Sequence, residues 1–237
     1  MKPVSLLAAA GLALGAVAVF AFSGAARADG PKDGLYLMTR FLGGSLEIKA
    51  YYFRDGRVSL RPIGDLDSFD FDAAAKAQPD TVGTVAVKGE TMAVTWGDGN
   101  VAEAKVEPDG ECFTWNMGIF CPAKTFEAGE RLSGTFEGGA SGLPGLGSYV
   151  ANSNTLVFKP DGTYTRGTVG SVVTADVSAG STGSESGQYE IAGGTLLRLK
   201  PEGKPAYDVL TFPYDDGSGK AHPPRMYFNG TMLKRVE

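Results

Sequence analysis

The chain is short of the residues on which most catalytic and metal sites depend. Its 237 residues include one histidine, His222, and two cysteines, Cys112 and Cys121. A single histidine excludes a His-rich metal centre and any relay that needs a second imidazole. There is no G-x-S-x-G, H-E-x-x-H, C-x-x-C, phosphate loop or dinucleotide fingerprint, so nothing points to a cofactor or a metal. Basic residues are also in the minority, 22 against 27 acidic ones, for a net charge of −5. Without a basic face to neutralise phosphates, nucleic acid is not an expected partner. Past the N-terminus no apolar run is long enough to cross a bilayer as a helix.

The N-terminus itself is apolar. Lys2 precedes an Ala-, Leu- and Val-rich run over residues 4–22, and Ala26-Arg27-Ala28 fits a small-x-small cleavage site. Residues 1–28 therefore read as a signal peptide, with Asp29 first in a periplasmic or secreted form and no transmembrane segment left after cleavage. The competing reading of the run is a membrane anchor. Loss of Lys2 and Arg27 leaves 20 basic against 27 acidic residues, a net of −7. The remaining 209 residues suffice for one large β domain or two small ones.

Export permits a disulfide between the two cysteines. In "ECFTWNMGIFC", a four-residue loop over Trp115, Asn116, Met117 and Gly118, with Gly118 left-handed, closes Thr114 on Ile119. Phe113 then faces Phe120 and Cys112 falls opposite Cys121. A one-residue slip would put the sulfurs on opposite faces. A metal pair or a reactive thiol is the alternative, and neither has a neighbouring His or Cys to support it.

A repeat organises the rest. Residues 83–107 align without a gap to residues 187–211, with Gly83/Gly187, Gly89/Gly193, Thr91/Thr195, Gly99/Gly203 and Ala102/Ala206 identical. Both copies read strand, turn, strand, turn, strand. The chain thus divides into a β unit over residues 29–124, carrying the internal disulfide, and a second over residues 132–237, with a polar joint between. Each offers about eight short strands, which implies an all-β protein of two tandem antiparallel meander units, small up-and-down barrels. In unit one, Leu46, Ile48, Ala50 and Tyr52 fall on one face of a half-buried strand. Asp70 or Asp72 caps a short helix over residues 73–78, ended by Pro79. In unit two, residues 138–154 and 167–186 read as long Gly- and Ser-rich loops. A last hairpin turns on Asn229-Gly230.

The pairs Gly34/Tyr36 and Gly134/Phe136 mark the first strands. With Asp55-Gly56, Asp161-Gly162, Gly187/Tyr189/Ile191/Gly193 and Asn229-Gly230, they resemble the lipocalin-like (calycin) barrels of exported bacterial proteins. The resemblance implies barrels that bind small apolar ligands.

Three functions are compatible with this reading. The leading one is an exported binding or scaffold protein for a small apolar molecule, or for an envelope lipid or glycan, with Tyr52, Trp96, Tyr164 and Tyr189 as candidate ligand-binding aromatics. It predicts a cavity lined by aromatic and aliphatic side chains. The second is an enzyme acting on an extracellular or envelope polysaccharide through His222, Arg225 and Tyr227. Meander topology puts the His222 loop at the opposite end from the two long loops, which share a mouth with the possibility of a lid, as the short helix does in unit one. The third is a protein-interaction module or inhibitor, which predicts filled barrels and an exposed apolar patch of a few hundred Å². Asp65, Asp67, Asp70 and Asp72 lack calcium-loop spacing and read as a solvated, helix-capping run.

Overall fold

The computed structural model describes residues 30–145, 148–173, 178–214 and 223–236. The predicted signal peptide and His222 lie outside the described residues. Two antiparallel sheets account for nearly all of it. Unit one comprises β1 (Gly34–Leu42), β2 (Ser45–Arg54), β3 (Arg57–Leu60), α1 (Phe71–Ala77), β4 (Val82–Lys88), β5 (Thr91–Trp96), β6 (Val101–Lys105), β7 (Glu107–Asp109), β8 (Cys112–Trp115) and β9 (Gly118–Pro122). The order across its nine-stranded sheet is β6-β5-β4-β3-β2-β1-β9-β8-β7. The two edge strands, β6 and β7, are separated in sequence only by the buried Val106. Since consecutive Cα atoms are about 3.8 Å apart, the edges meet and the sheet curls round on itself. Unit two is a closed barrel of β10 (Gly134–Gly145), β11 (Ser148–Phe158), β12 (Thr163–Val173), β13 (Ser178–Gly193), β14 (Leu196–Pro201), β15 (Tyr207–Tyr214), β16 (Arg225–Phe228) and β17 (Thr231–Val236).

The shared glycines have shared physical reasons. Gly34 and Gly134 both open a first strand at positive φ, +148° and +116°. A Cβ on Gly83 would sit 2.7 Å from the Thr95 carbonyl oxygen, and one on Gly187 would sit 2.2 Å from that of Lys200. The copies differ by one bulged residue between Ile191 and Gly193, which shifts the register of β13 against β14.

Strand alternation gives three cores. Inward residues of unit one, among them Tyr36, Met38, Tyr51, Phe53, Met92, Phe113, Trp115 and Phe120, pack together. Phe113 stacks on Phe120 at 4.8 Å, and the Trp115 indole donates to the Met92 carbonyl at 2.9 Å. Unit two is filled in the same way by Phe136, Leu156, Phe158, Tyr164, Tyr189, Ile191, Leu197, Leu199 and Phe228. The third core lies between the units. Leu35, Leu37, Ala50 and Tyr52, on the outer face of β1 and β2, pack with Leu66 and Phe71 and with Leu210, Phe212 and Tyr227 from the outer face of unit two. Thr195, on the β13–β14 turn, ties the units further: its hydroxyl donates to the Pro62 carbonyl at 2.6 Å and accepts from the Gly64 amide at 3.2 Å.

Several expectations change. Strand β2 is not half-buried with one wet face, because Ala50 and Tyr52 meet unit two while Tyr51 and Phe53 fill unit one. In the stretches read as long loops, residues 138–154 and 167–186, the described residues are paired strands, β10 with β11 from Gly138 opposite Asn154 and β12 with β13 from Gly167 opposite Ser184; small residues in an alternating ladder carry no hydrophobic period to betray it. The joint is not simply polar, since Phe126 enters the core of unit two and bridges Gly194. Finally, the cysteine hairpin has the predicted register and disulfide, but its turn is Asn116-Met117, at φ +48° and +64°, with Trp115 and Gly118 already paired. Helix α1 takes Asp70 as its cap, which accepts from the Asp72 and Ala73 amides. It lies against Tyr52 on the outside of unit one rather than over a mouth.

Candidate functional site

Inside unit two the inward stripe turns from apolar to polar at one level. Along β11 it passes from Leu156 to Asn154, along β12 from Tyr164 to Arg166, along β13 from Gly187 to Glu185, and along β15 from Val209 to Tyr207. Arg166 and Glu185 are direct cross-strand neighbours. Each is held by other groups. Glu185 Oε1 accepts from the Tyr164 hydroxyl at 2.6 Å and from the Tyr207 hydroxyl at 2.7 Å. Arg166 donates through Nε and one terminal nitrogen to Asn154 Oδ1, at 3.3 and 2.9 Å, and through the other to the Tyr207 hydroxyl at 3.3 Å. Its guanidinium lies 5.3 Å over the Phe228 ring. Burial pushes the Glu185 carboxyl up, but the two tyrosine hydroxyls, with Lys204 and Arg166 nearby, outweigh it and hold the group below its ordinary value. Burial first, then the neighbouring carboxylate, raises the Tyr164 hydroxyl well above its ordinary range.

The level sits where the barrel becomes a half-wall. Strand β17 pairs with β10 only at Thr135–Glu137, and β14 pairs with β13 only from Gly187 onward. Strands β10 to β13 continue beyond as a four-stranded sheet paired to Gly145 and Ser148 at one hairpin and Val173 and Ser178 at the other. The inner positions of this extension that carry described side chains are Asn152, Thr168, Gly170, Ser181 and Gly183, all small or polar.

The residues singled out in the sequence do not form one site. Tyr164 belongs to the polar level. Tyr189 seals the opposite end of the same barrel, where its hydroxyl accepts from the Leu132 amide at 2.9 Å and is within 2.8 and 3.1 Å of the Leu132 and Lys159 carbonyls. Tyr52 faces out of unit one, donates to the Leu66 carbonyl at 2.9 Å and lines a groove of about 830 Å³ between the units. Trp96 packs against the unit-one core, 6.4 Å from Tyr51. Tyr227 is buried between the units and Arg225 lies on the same face of β16, beside Lys234 and Tyr214. Of the acidic run, Asp70 caps α1 and Asp72 pairs with Arg57, while Asp65 accepts from the Asp67 amide. No cluster of potential metal ligands occurs among the described residues.

A second feature was not anticipated at these positions. Of eight large hydrophobic residues that are exposed among the described residues, five gather at two neighbouring hairpin tips of unit one: Phe41, Leu42, Leu46, Met117 and Ile119. Phe41 is 72% exposed and stands directly opposite Leu46, across a Gly43-Gly44 turn. Ile119 pairs with Thr39, and two residues further toward both tips come Phe41 and Met117. Phe41, Leu46 and Ile119 continue the face that, lower down, packs Leu35, Leu37, Ala50 and Tyr52 against unit two, while Leu42 falls on the other side at the turn itself. The inward side of the same hairpin is charged, with Arg40, Glu47 and Lys49 paired together. Beside it a cleft of about 420 Å³ is lined by Leu46, Ile48, Arg61 and Tyr227.

Comparison with protein-family models, with curated proteins and with solved structures returned no match.

Proposed function

We propose that this protein is an exported protein-interaction module that docks a partner on the two hairpin tips of unit one. One observation carries the reading: both barrels are filled with their own side chains, while five of the eight exposed large hydrophobic residues among those described gather at two adjacent tips. From the exposures and the usual size of these side chains, the patch is on the order of 500 Å², at the upper end for a monomer. It supplies most of the roughly 800 Å² that each partner buries in a standard interface. The partner is a protein presenting an apolar concave surface, since a Phe and a Met at neighbouring tips act as anchors for pockets. The disulfide bracing β8 against β9 holds one of the two tips rigid, which lowers the ordering cost of docking. A photo-crosslinking amino acid placed at Met117 in the cell of origin tests this. The expected result is a discrete protein adduct that disappears when Phe41→Ser and Leu46→Ser are combined; the absence of any such adduct overturns the proposal.

A further inference from the structure

We infer that the polar level of unit two is a saccharide-binding site, gripping neighbouring hydroxyls of a sugar ring between Glu185, Arg166 and Asn154. The inference is independent of the docking role assigned to unit one. Tyrosine hydroxyls saturate one oxygen of Glu185, whereas among the described residues the other has only the Lys204 ammonium, 3.7 Å away and exposed. A guanidinium has five N–H donors, and three of those on Arg166 are engaged. Asn154 accepts from Arg166 through its oxygen, which turns its amide nitrogen away with two donors unengaged among the described residues. One carboxylate acceptor and several fixed donors thus stand side by side at the floor of an open-sided wall.

The chemistry selects the ligand class. Glu185 and Arg166 are opposite charges on directly paired residues, yet no ion pair joins them among the described residues, because each is held by other groups. With Lys204 out at the exposed rim, the two charges at the floor of the site balance, which favours neither a free anion nor a cation there. It offers acceptor and donor together, the complement of a hydroxyl, which is both. Planar groups locked by second partners provide the geometric fixity that polar recognition needs. Room exists because, among the described residues, the wall above bears Asn152, Thr168, Gly170, Ser181 and Gly183, and because β14 to β17 stop short of it.

The test is affinity electrophoresis of the chain from Asp29 through gels containing dextran, xylan or soluble peptidoglycan fragments. It is paired with a nitrogen–proton NMR titration of the Arg166 Nε–H with glucose, galactose and N-acetylglucosamine. The expected result is retardation by at least one polymer and a saturable shift of the Arg166 signal. Glu185→Gln retains an acceptor for both tyrosines but loses the charge, and should weaken binding by about tenfold or more, the loss of a charge-assisted hydrogen bond. Asn154→Ala should weaken it too, with near-ultraviolet spectra unchanged in both variants. Failure of every saccharide to shift Arg166 overturns the inference. So does retardation that both variants leave intact, since the sugar then binds elsewhere.

Discussion

Replacing Phe212 with alanine should destabilise the half of the protein to which Phe212 does not belong. The side chain is fully buried on the outer face of β15, stacked on Tyr227 at 4.7 Å, and it enters the core shared with Leu35, Leu37, Ala50 and Tyr52 of unit one. Truncating a buried Phe typically costs about 3–5 kcal/mol. In a chain of this size each kcal/mol is worth roughly 2–4 °C in midpoint, so a drop of about 10 °C is expected. The two tryptophans allow the cost to be localised, because Trp96 and Trp115 both belong to unit one. Tryptophan fluorescence therefore follows unit one alone, while far-ultraviolet circular dichroism follows both. If the inter-unit core couples the barrels, Phe212→Ala lowers the tryptophan-reported midpoint together with the dichroism midpoint. Thr195→Val, which leaves the Gly64 amide without its hydroxyl partner, does the same by about 1–3 kcal/mol. An unchanged tryptophan midpoint in Phe212→Ala, beside a lowered dichroism midpoint, refutes the coupling and makes the units independent.

Removing the staple, with Cys112 and Cys121 both changed to alanine, opens a closed loop with a sequence separation of 9. Chain entropy alone puts the loss near 2.5–3 kcal/mol, to be read from urea midpoints by Trp115 fluorescence. Tyr189→Phe strands the buried Leu132 amide and should cost about 1–3 kcal/mol, measured by thermal melting. Glu185 has a depressed folded-state pKa, so its contribution to stability is present above the unfolded carboxyl value and is lost as pH falls through the lower folded one. Glu185→Gln should flatten the acid limb of the stability profile, and an unaltered limb would show that the carboxylate contributes nothing there. The double change Phe41→Ser, Leu46→Ser removes only exposed side chains and should leave the melting midpoint within about 0.5 kcal/mol of the parent.

Much of the architecture was written locally. Asp55-Gly56 and Asn229-Gly230 adopt positive φ at both turn residues, as their chemistry requires, and the Phe113–Phe120 pairing follows from placing two cysteines on one face. Other parts were not legible. Gly- and Ser-rich stretches such as residues 178–186 look like loops because they lack hydrophobic alternation, and only pairing to β12 makes them strands. That misreading hid the polar site. Once β12 and β13 are strands, period two puts Arg166 on the face of Tyr164 and Glu185 on the face of Tyr189. The fate of Tyr52 and Tyr227 was equally out of reach, since alternation says which residues share a face but not that a second barrel covers it.

That covering explains where the exposed apolar surface comes from. Each unit carries an apolar stripe on its outside, and in unit two Leu210, Phe212 and Tyr227 are buried against unit one, with Tyr214 and Met232 partly buried beside them. The stripe of unit one is longer than its cover. It begins at Leu35 and Tyr52 under unit two, passes through the half-buried Ile48, and emerges at Phe41 and Leu46. Nothing in the fold requires those last positions to be apolar, because a Gly-Gly turn and the inward Arg40–Glu47 pair already close the hairpin. A wet hairpin tip is ordinarily polar, and large apolar side chains there carry a solubility cost without stabilising the barrel. The extension of the stripe past its intramolecular cover is thus best accounted for by a second, intermolecular one.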